Sequence, residues 1–288
     1  MRLVAEAPAK INRELRVGRL RPDGYHEVHS RMVSIDLADR LTVEDAGDLA
    51  FSCDDDAVPA GDENLTVRAA RLLAERAGVE PRARIRLEKR VPMGGGLGGG
   101  SADAGVTLLL LARLWRCGTD VVDALPELAG KLGSDVPFFL TGGEAEVAGR
   151  GEVVTPLEDQ NGPGTPLLLL VPPFSVPTAA VYRAYAGRGT LPERLEVARR
   201  SGGAFLGPND LTPAVLQVEP RMGGYLASAA RVSVEYAVSG SGSTIVLVPK
   251  AGAREALARE HPEARLFSCS TLTRDAYRRR TSPHGGAP

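Results

Sequence analysis

The stretch Pro92-Met93-Gly94-Gly95-Gly96-Leu97-Gly98-Gly99-Gly100-Ser101-Ala102-Asp103, PMGGGLGGGSAD, sets six glycines around one leucine and runs straight into the apolar text AGVTLLLLARLW. Ordering so flexible a run loses much chain entropy, so the backbone there must either stay loose or need glycine. The flanks decide between the two. Upstream, ARIRLEKRV alternates, with Ile85, Leu87 and Val91 on one side and Arg84, Arg86 and Arg90 near the other, which predicts a half-buried strand. Downstream, a helix is expected from Ser101 to about Arg116, closed by Gly118. A linker joins solvent-facing ends, whereas this run joins an amphipathic strand to an apolar helix. Glycines let backbone N–H groups approach an anion closely, and a helix N-terminus adds partial positive charge. Strand, loop and helix therefore predict a nucleotide phosphate site.

Three phosphate motifs compete for this text. A Walker loop needs Gly-Lys before Ser or Thr, and no lysine lies in the run. Gly94, Gly96 and Gly99 satisfy a lone GxGxxG, with Asp120 near the expected distance for a ribose-binding acid. A dinucleotide fold, however, needs a buried strand before the loop and another before that acid, while here the first is half polar and the helix runs nearly to Asp120. The protein-kinase glycine loop joins two strands, and this one opens a helix.

The remaining chain supplies the frame. Its 288 residues, 43% hydrophobic and 25% charged with a formal net charge of -1, suit two modest domains, or one large one, with a proper core and exclude a basic nucleic-acid footprint. Cys53, Cys117 and Cys269 are scattered and odd in number, which suits reduced thiols and no disulfide framework. The start MRLVAEAPAK has no hydrophobic signal region, and the longest apolar runs fall far short of the ~20 residues of a spanning helix. The expectation is a cytoplasmic protein with no membrane or nucleic-acid partner, monomer or homodimer. Strands are expected over Arg2 to Ala7, ending at Pro8, over Ile11 to Val17, in SRMVSIDL, in RLTVED and in DLAFSC, as a mostly antiparallel sheet. A helix follows Asn64 as far as Gly78. A boundary is expected near Leu157, giving lobes of residues 1–157 and 158–278, with 279–288 a disordered tail.

Read with its neighbours, the glycine run resembles the second motif of the GHMP small-molecule kinase superfamily. Four further blocks carry the resemblance in the same order along the chain: APAKIN at Ala7 to Asn12, RPDGYHEV at Arg21 to Val28, LGSDVPFFL at Leu132 to Leu140, and SGSGS at Ser239 to Ser243. Within the superfamily the text is most similar to the branch acting on cytidine-diphosphate methylerythritol. The resemblance implies an α/β fold of two lobes, the second ferredoxin-like, with the active site in the cleft between them. It implies ATP with Mg²⁺ as phosphoryl donor and the 2-hydroxyl of that cytidine compound as acceptor. A sugar, homoserine or mevalonate kinase, and a catalytically silent ATP-binding module, are the alternatives; GYH after the turn favours a base-binding pocket, and retention of both Lys10 and Asp135 argues against silence.

Phosphoryl transfer needs alignment, charge neutralisation and a base for the attacking hydroxyl. As local text, Asp135 reads either as an N-cap or as a carboxylate facing a cleft; the resemblance implies the base. Lys10 reads as a surface lysine or as its partner, polarising the hydroxyl. The chain holds only Lys10, Lys89, Lys131 and Lys250 against abundant arginine, so a lysine placed between a proline and a strand suggests a compact ammonium. Asn12 is expected as a second polar contact in the pocket. Tyr25 and His26 read as an exposed corner or, by the resemblance, as the cytidine pocket, with Tyr182 as a second stacking aromatic. HEVH lacks the spacing of a metal motif. Pro92, Met93, Gly94, Gly95, Gly96, Leu97, Gly98, Gly99, Gly100, Ser101 and Ala102 are expected around the triphosphate, with Ser101 near phosphate or Mg²⁺. Asn64 and Lys89 are expected near the adenosine, against the readings of a helix cap and an exposed strand lysine. Gly240 and Gly242 are a tight turn that also walls the substrate phosphates. Three departures from the family pattern stand out: Arg13-Glu14 in place of alternating apolar residues, Ser134 in place of alanine, and Pro126 inside a helix.

Overall fold

The computed structural model describes residues 1–159, 163–186 and 204–285. Strands β1 (Arg2–Leu20) and β2 (His26–Glu44) form a long antiparallel pair across the Pro22-Asp23-Gly24 turn. The sequence predicts a break at Pro8 and two strands on either side of it; the structure has one continuous strand. The reason is local: the register slips between Pro8 and Lys10 and again between Asn12 and Glu14. Proline has no N–H to give the ladder, and a bulge accommodates it while re-aiming the next side chains. Likewise SRMVSIDL and RLTVED merge into β2.

Strand β3 (Leu49–Cys53), helix α1 (Leu65–Ala77) and parallel strand β4 (Ala83–Glu88) make a βαβ unit. Helix α2 (Gly99–Leu114) begins two residues before the expected Ser101. Helices α3 (Thr119–Asp123) and α4 (Leu125–Leu132) are separate, with Pro126 in the first turn of α4, where its missing N–H is harmless. A 3₁₀ turn, Val136–Leu140, leads to strands β5 (Glu144–Ala148) and β6 (Val153–Pro156). The second sheet is built from β7 (Pro166–Val171), helices α5 (Thr178–Ala186), α6 (Thr212–Val218) and α7 (Met222–Val232), strands β8 (Ser233–Val238) and β9 (Ile245–Pro249), helix α8 (Ala253–Glu260) and strand β10 (Arg265–Ser270). Its order, β10-β7-β9-β8, is antiparallel and ferredoxin-like.

The chain then returns to the first sheet through α9 (Arg274–Thr281) and β11 (His284–Gly285), which pairs with β1. Among the described residues that sheet has seven strands, ordered β11-β1-β2-β4-β3, with β5 and β6 branching from β2. The tail expected to be disordered from residue 279 is thus partly ordered: Arg280 pairs with Glu6 and β11 pairs with β1, and just before it Tyr277 is fully buried, its hydroxyl donating to the Phe139 carbonyl at 2.6 Å. Residues 286–288 lie outside the described residues.

Packing explains two uniform apolar runs. Helix α2 lies within the first core, touching the sheet residues Leu41, Ile85 and Leu87 and the aromatic pair Phe138 and Phe139, so it needs no polar face. In β7, Leu168 and Leu170 join the helices of the second lobe, while Leu167 and Leu169 pack on Ile11, Val33 and Leu97 of the first. A strand buried on both faces reads as a continuous leucine run. That interlobe core fixes the walls of the cleft. No helix among the described residues is long and apolar enough to cross a membrane.

Candidate active site

The β1 bulges turn Lys10 and Asn12 inward on one face, as an i, i+2 pair on a strand should lie. Both are 3% exposed. The Lys10 ammonium donates to Asn12 Oδ1 at 2.7 Å and to the Gly96 carbonyl at 3.1 Å, and lies 3.4 Å from Asp135 Oδ2. Its three protons face three oxygens. Asp135 begins the 3₁₀ turn, yet its side chain makes no capping bond and is one-third exposed. Of its two readings, the carboxylate facing a cleft is the one this geometry matches. Asn12 reaches the cleft, but both its polar atoms are taken, Oδ1 by Lys10 and Nδ2 by the Ser30 hydroxyl at 2.7 Å.

The glycine run is braced at three points. Lys10 N–H donates to the Leu97 carbonyl at 2.9 Å, Thr244 N–H to Gly95 at 3.2 Å, and Ser239 Oγ to Gly96 at 3.0 Å. Gly96 has φ +76°, and a Cβ there would lie 2.2 Å from the Ser239 carbonyl oxygen; only glycine fits. Gly98 caps α2 at φ +70° with no side-chain bond, and the first intrahelical bond runs from Ala102 N–H to Gly98 at 2.8 Å. The amides before it have no helical acceptor, which is what an anion cradle requires.

Two cavities flank the loop. One, of about 350 Å³, is lined by Asn64, Lys89, residues 92–101 and Asp103. The other, of about 740 Å³, is lined by Lys10, Asn12, Tyr25, His26, Asp135, Tyr182 and Gly240 among others. Gly96 and Gly98 line both, so the loop is their common wall. Gly242 is part of the turn beside the loop, where its N–H donates to the Ser239 carbonyl at 2.9 Å.

In the larger cavity, His26 is buried and stacks on Tyr182, ring centroids 5.6 Å apart at 28°. Its Nδ1 lies 2.9 Å from the Gly18 carbonyl, so Nδ1 carries a hydrogen, and in the neutral ring Nε2 is the acceptor. Burial pushes the Tyr182 hydroxyl well above the usual phenol range, and the charge of Asp135 adds to that. Tyr25 is exposed, with the Arg150 guanidinium 5.1 Å from its ring centroid. Arg150 is held by donation to the Gly130 carbonyl at 2.8 Å, and with Arg183 it adds positive charge to the lining. Sequence reasoning missed both arginines, since arginine is common everywhere in this chain.

In the smaller cavity, Asn64 caps α1, accepting from Thr66 N–H at 2.8 Å, and donates to the Pro59 carbonyl at 2.6 Å. Lys89 is not an exposed strand lysine: it is 5% exposed, bonded to Asp39 and 3.0 Å from Asp103 Oδ2. Burial alone would lower its pKa, but Asp103 and Asp39 outweigh that and raise it. Burial, reinforced by Asp39 and only partly offset by Lys89, pushes Asp103 up to about 8. Asp103 Oδ1 has no hydrogen-bond partner. The signal for this cluster was an acid set inside an otherwise apolar helix. Ser101 is half-buried at the start of α2.

The departures also find places. Arg13 alternates with Asn12 and so faces away from the cleft, where it pairs with Glu144, donates to the Phe205 carbonyl at 2.9 Å and stacks 4.1 Å from the Phe205 ring. It ties the lobes together, and neither Arg13 nor Glu14 lines either cavity. Burial raises the pKa of each cysteine thiol, Cys269 to about 12, so none is activated.

A family profile described as GHMP kinases N terminal domain matches residues 64–143. The 4-diphosphocytidyl-2-C-methyl-D-erythritol kinase of Kineococcus radiotolerans is 38% identical over 272 residues, covering 87% of this chain and 82% of that one. The like-named kinase of Pelotomaculum thermopropionicum is 48% identical over 187 residues, and the match spans 64% of either chain. A crystal structure of a 4-(cytidine 5'-diphospho)-2C-methyl-D-erythritol kinase superposes with a TM-score of 0.76 at 36% identity, over 93% of this chain and 98% of that one. The homoserine kinase of Cytophaga hutchinsonii shares the fold, with a TM-score of 0.67 at 17% identity over 95% of each chain.

Proposed function

The chain belongs to the 4-diphosphocytidyl-2-C-methyl-D-erythritol kinase family of GHMP kinases, and on that premise we propose that it transfers the γ-phosphoryl group of ATP to the 2-hydroxyl of 4-diphosphocytidyl-2-C-methyl-D-erythritol, a step toward isoprenoid precursors. The observation that carries this is the Lys10–Asp135 pair at 3.4 Å, set beside a glycine loop that walls one cavity from the other. The triphosphate occupies the loop side, against the free amides of Gly99, Gly100 and Ser101. The acceptor fills the larger cavity, its pyrimidine end among Tyr25, His26 and Tyr182 and its hydroxyl at Asp135.

Asp135 takes the hydroxyl proton as that oxygen bonds to the γ-phosphorus, and the bond from phosphorus to the β,γ-bridging oxygen breaks, so that ADP leaves with the electron pair. Lys10, fixed by Asn12 and Gly96, aims its third proton at Asp135 and so sits beside the hydroxyl that Asp135 deprotonates. The bare Nε2 of His26 accepts from the exocyclic amino group of cytosine, whereas uracil would offer a second acceptor there. Magnesium takes most of its ligands from phosphate and water, so one or two protein oxygens are enough to hold it. The Ser101 hydroxyl, beside the glycine loop, is the protein oxygen that would hold it, and it would neutralise charge on the phosphates.

The test is ATP consumption with Mg²⁺ against the cytidine compound, mevalonate, homoserine and galactose. Turnover on the cytidine compound alone is expected, and turnover on any other instead refutes the substrate. Asp135→Asn is expected to keep both KM values within a few-fold while kcat falls on the order of 10²-fold or more. Wild-type kcat in that variant removes Asp135 as the base.

A further inference from the structure

Every proton of the Lys10 ammonium points at an oxygen, and one of those oxygens belongs to an amide that could face either way. Turned over, Asn12 would aim its NH₂ at the ammonium, replacing an acceptor 2.7 Å away with a donor. The ammonium disfavours this, and a second constraint lies one strand away. Ser30, on β2, is completely buried. Its hydroxyl lies 2.7 Å from the Glu14 carbonyl and 2.7 Å from Asn12 Nδ2. A serine hydroxyl has one proton to give. Spent on Glu14, it leaves Ser30 Oγ only as an acceptor toward Asn12, so the amide must present NH₂ to Ser30 and its oxygen to Lys10. The β1 bulge between Asn12 and Glu14 makes the relay fit: Asn12 pairs with Met32 but Leu15 with Ser30, and the slip brings the Glu14 carbonyl and the Asn12 side chain to the same hydroxyl.

We propose that Ser30 is a positioning residue for phosphoryl transfer, its single proton setting the direction of the Asn12 amide and thereby the three-acceptor seat of the Lys10 ammonium. The inference rests on Lys10 and Asp135 being the reacting pair. Ser30 itself touches no reacting atom. With the hydroxyl removed, the Asn12 NH₂ loses its acceptor, only the ammonium itself still opposes reversal of the amide, and the looser seat lets the ammonium spend part of its time off line. Displacements of this kind are felt in the chemical step more than in binding.

Two measurements test it. First, kinetics on the cytidine compound with wild type, Ser30→Ala and Ser30→Thr: alanine is expected to lower kcat about 10- to 100-fold with both KM values within about twofold, and threonine, which keeps the hydroxyl, to restore most of it. An alanine variant with wild-type kcat, or one whose KM values rise while kcat holds, overturns the proposal. Second, ¹⁵N-lysine spectra of the side-chain ammonium groups. With four lysines in the chain, Lys10 is assigned by the signal lost in Lys10→Arg. Its ammonium resonance is expected to shift or broaden in Ser30→Ala and to hold in Ser30→Thr; no change in alanine overturns the relay. The spectra need no substrate. A wild type silent on the cytidine compound would refute the proposed function, while the spectra would still decide whether Ser30 sets the seat of Lys10.

Discussion

Replacing Gly96 with alanine tests the loop, the lysine and the second lobe together. The new Cβ would lie 2.2 Å from the Ser239 carbonyl oxygen and 3.2 Å from that of Gly242, both backbone atoms that no rotamer change can move away. Relieving the first contact demands a backbone shift of roughly 1 Å, a packing penalty of about 1–3 kcal/mol. Holding alanine at φ +76° adds about 1–2 kcal/mol. The shift cannot stay local, because the Gly96 carbonyl accepts from both Lys10 Nζ at 3.1 Å and Ser239 Oγ at 3.0 Å. Moving it by that amount stretches both bonds, the loss of the Lys10 one leaves the ammonium with two acceptors, and a misplacement of about 1 Å at a reacting group is worth around 10²-fold in rate. The expected variant is folded, several degrees lower in Tm, and down about 10²-fold in kcat. Steady-state kinetics beside a thermal melt check it. A variant with wild-type Tm and kcat would mean that the loop does not pack on the Ser239 turn, and the account of a braced loop would fall.

Other predictions follow from buried groups. Asp103 is pushed up to about 8 in the folded chain from an ordinary 3.8, so between those values the native state keeps a proton that the unfolded chain has lost. Stability from this group therefore falls as pH rises through that window. Asp103→Asn has no proton to lose, and its stability relative to wild type is expected to rise between pH 6 and 8 in urea titrations; parallel pH curves would contradict the burial argument. Tyr277→Phe removes the donor to the Phe139 carbonyl at 2.6 Å while keeping the ring in its notch beside Gly142. A buried carbonyl left without this donor lowers stability by about 1–3 kcal/mol, read as an earlier denaturation midpoint at unchanged m-value. An unchanged midpoint would show that α9 is not anchored there.

The cleft was legible because its needs are local and unusual. Six glycines before an apolar helix, a lysine in an arginine-rich chain, and an aspartate in a glycine-flanked turn each depart from what solubility or packing would select. Lys10, Asp135, His26 and the loop accordingly meet in adjoining cavities. The sequence read less well where a residue's role depends on a partner far along the chain. Lys89 looks like one more charge on an alternating strand, and only the fold brings Asp39, 50 residues away, against it. Tyr277 sits in arginine-rich text that reads as a solvated tail, and only its seat beside Gly142 makes it a core residue.

Pro8 shows the same limit in the backbone. Read locally it ends a strand; in the sheet it is absorbed by a bulge, and that bulge aims Lys10 into the cleft. The apparent defect in the strand pattern and the placement of the ammonium are thus one feature. The second bulge, after Asn12, does the same for the amide that holds that ammonium, since without the slip Ser30 would not meet both Asn12 and Glu14. An irregularity in an otherwise regular strand pattern, flanking a charged residue, is therefore where a cleft-facing side chain should be sought, even when its partners lie outside any local window.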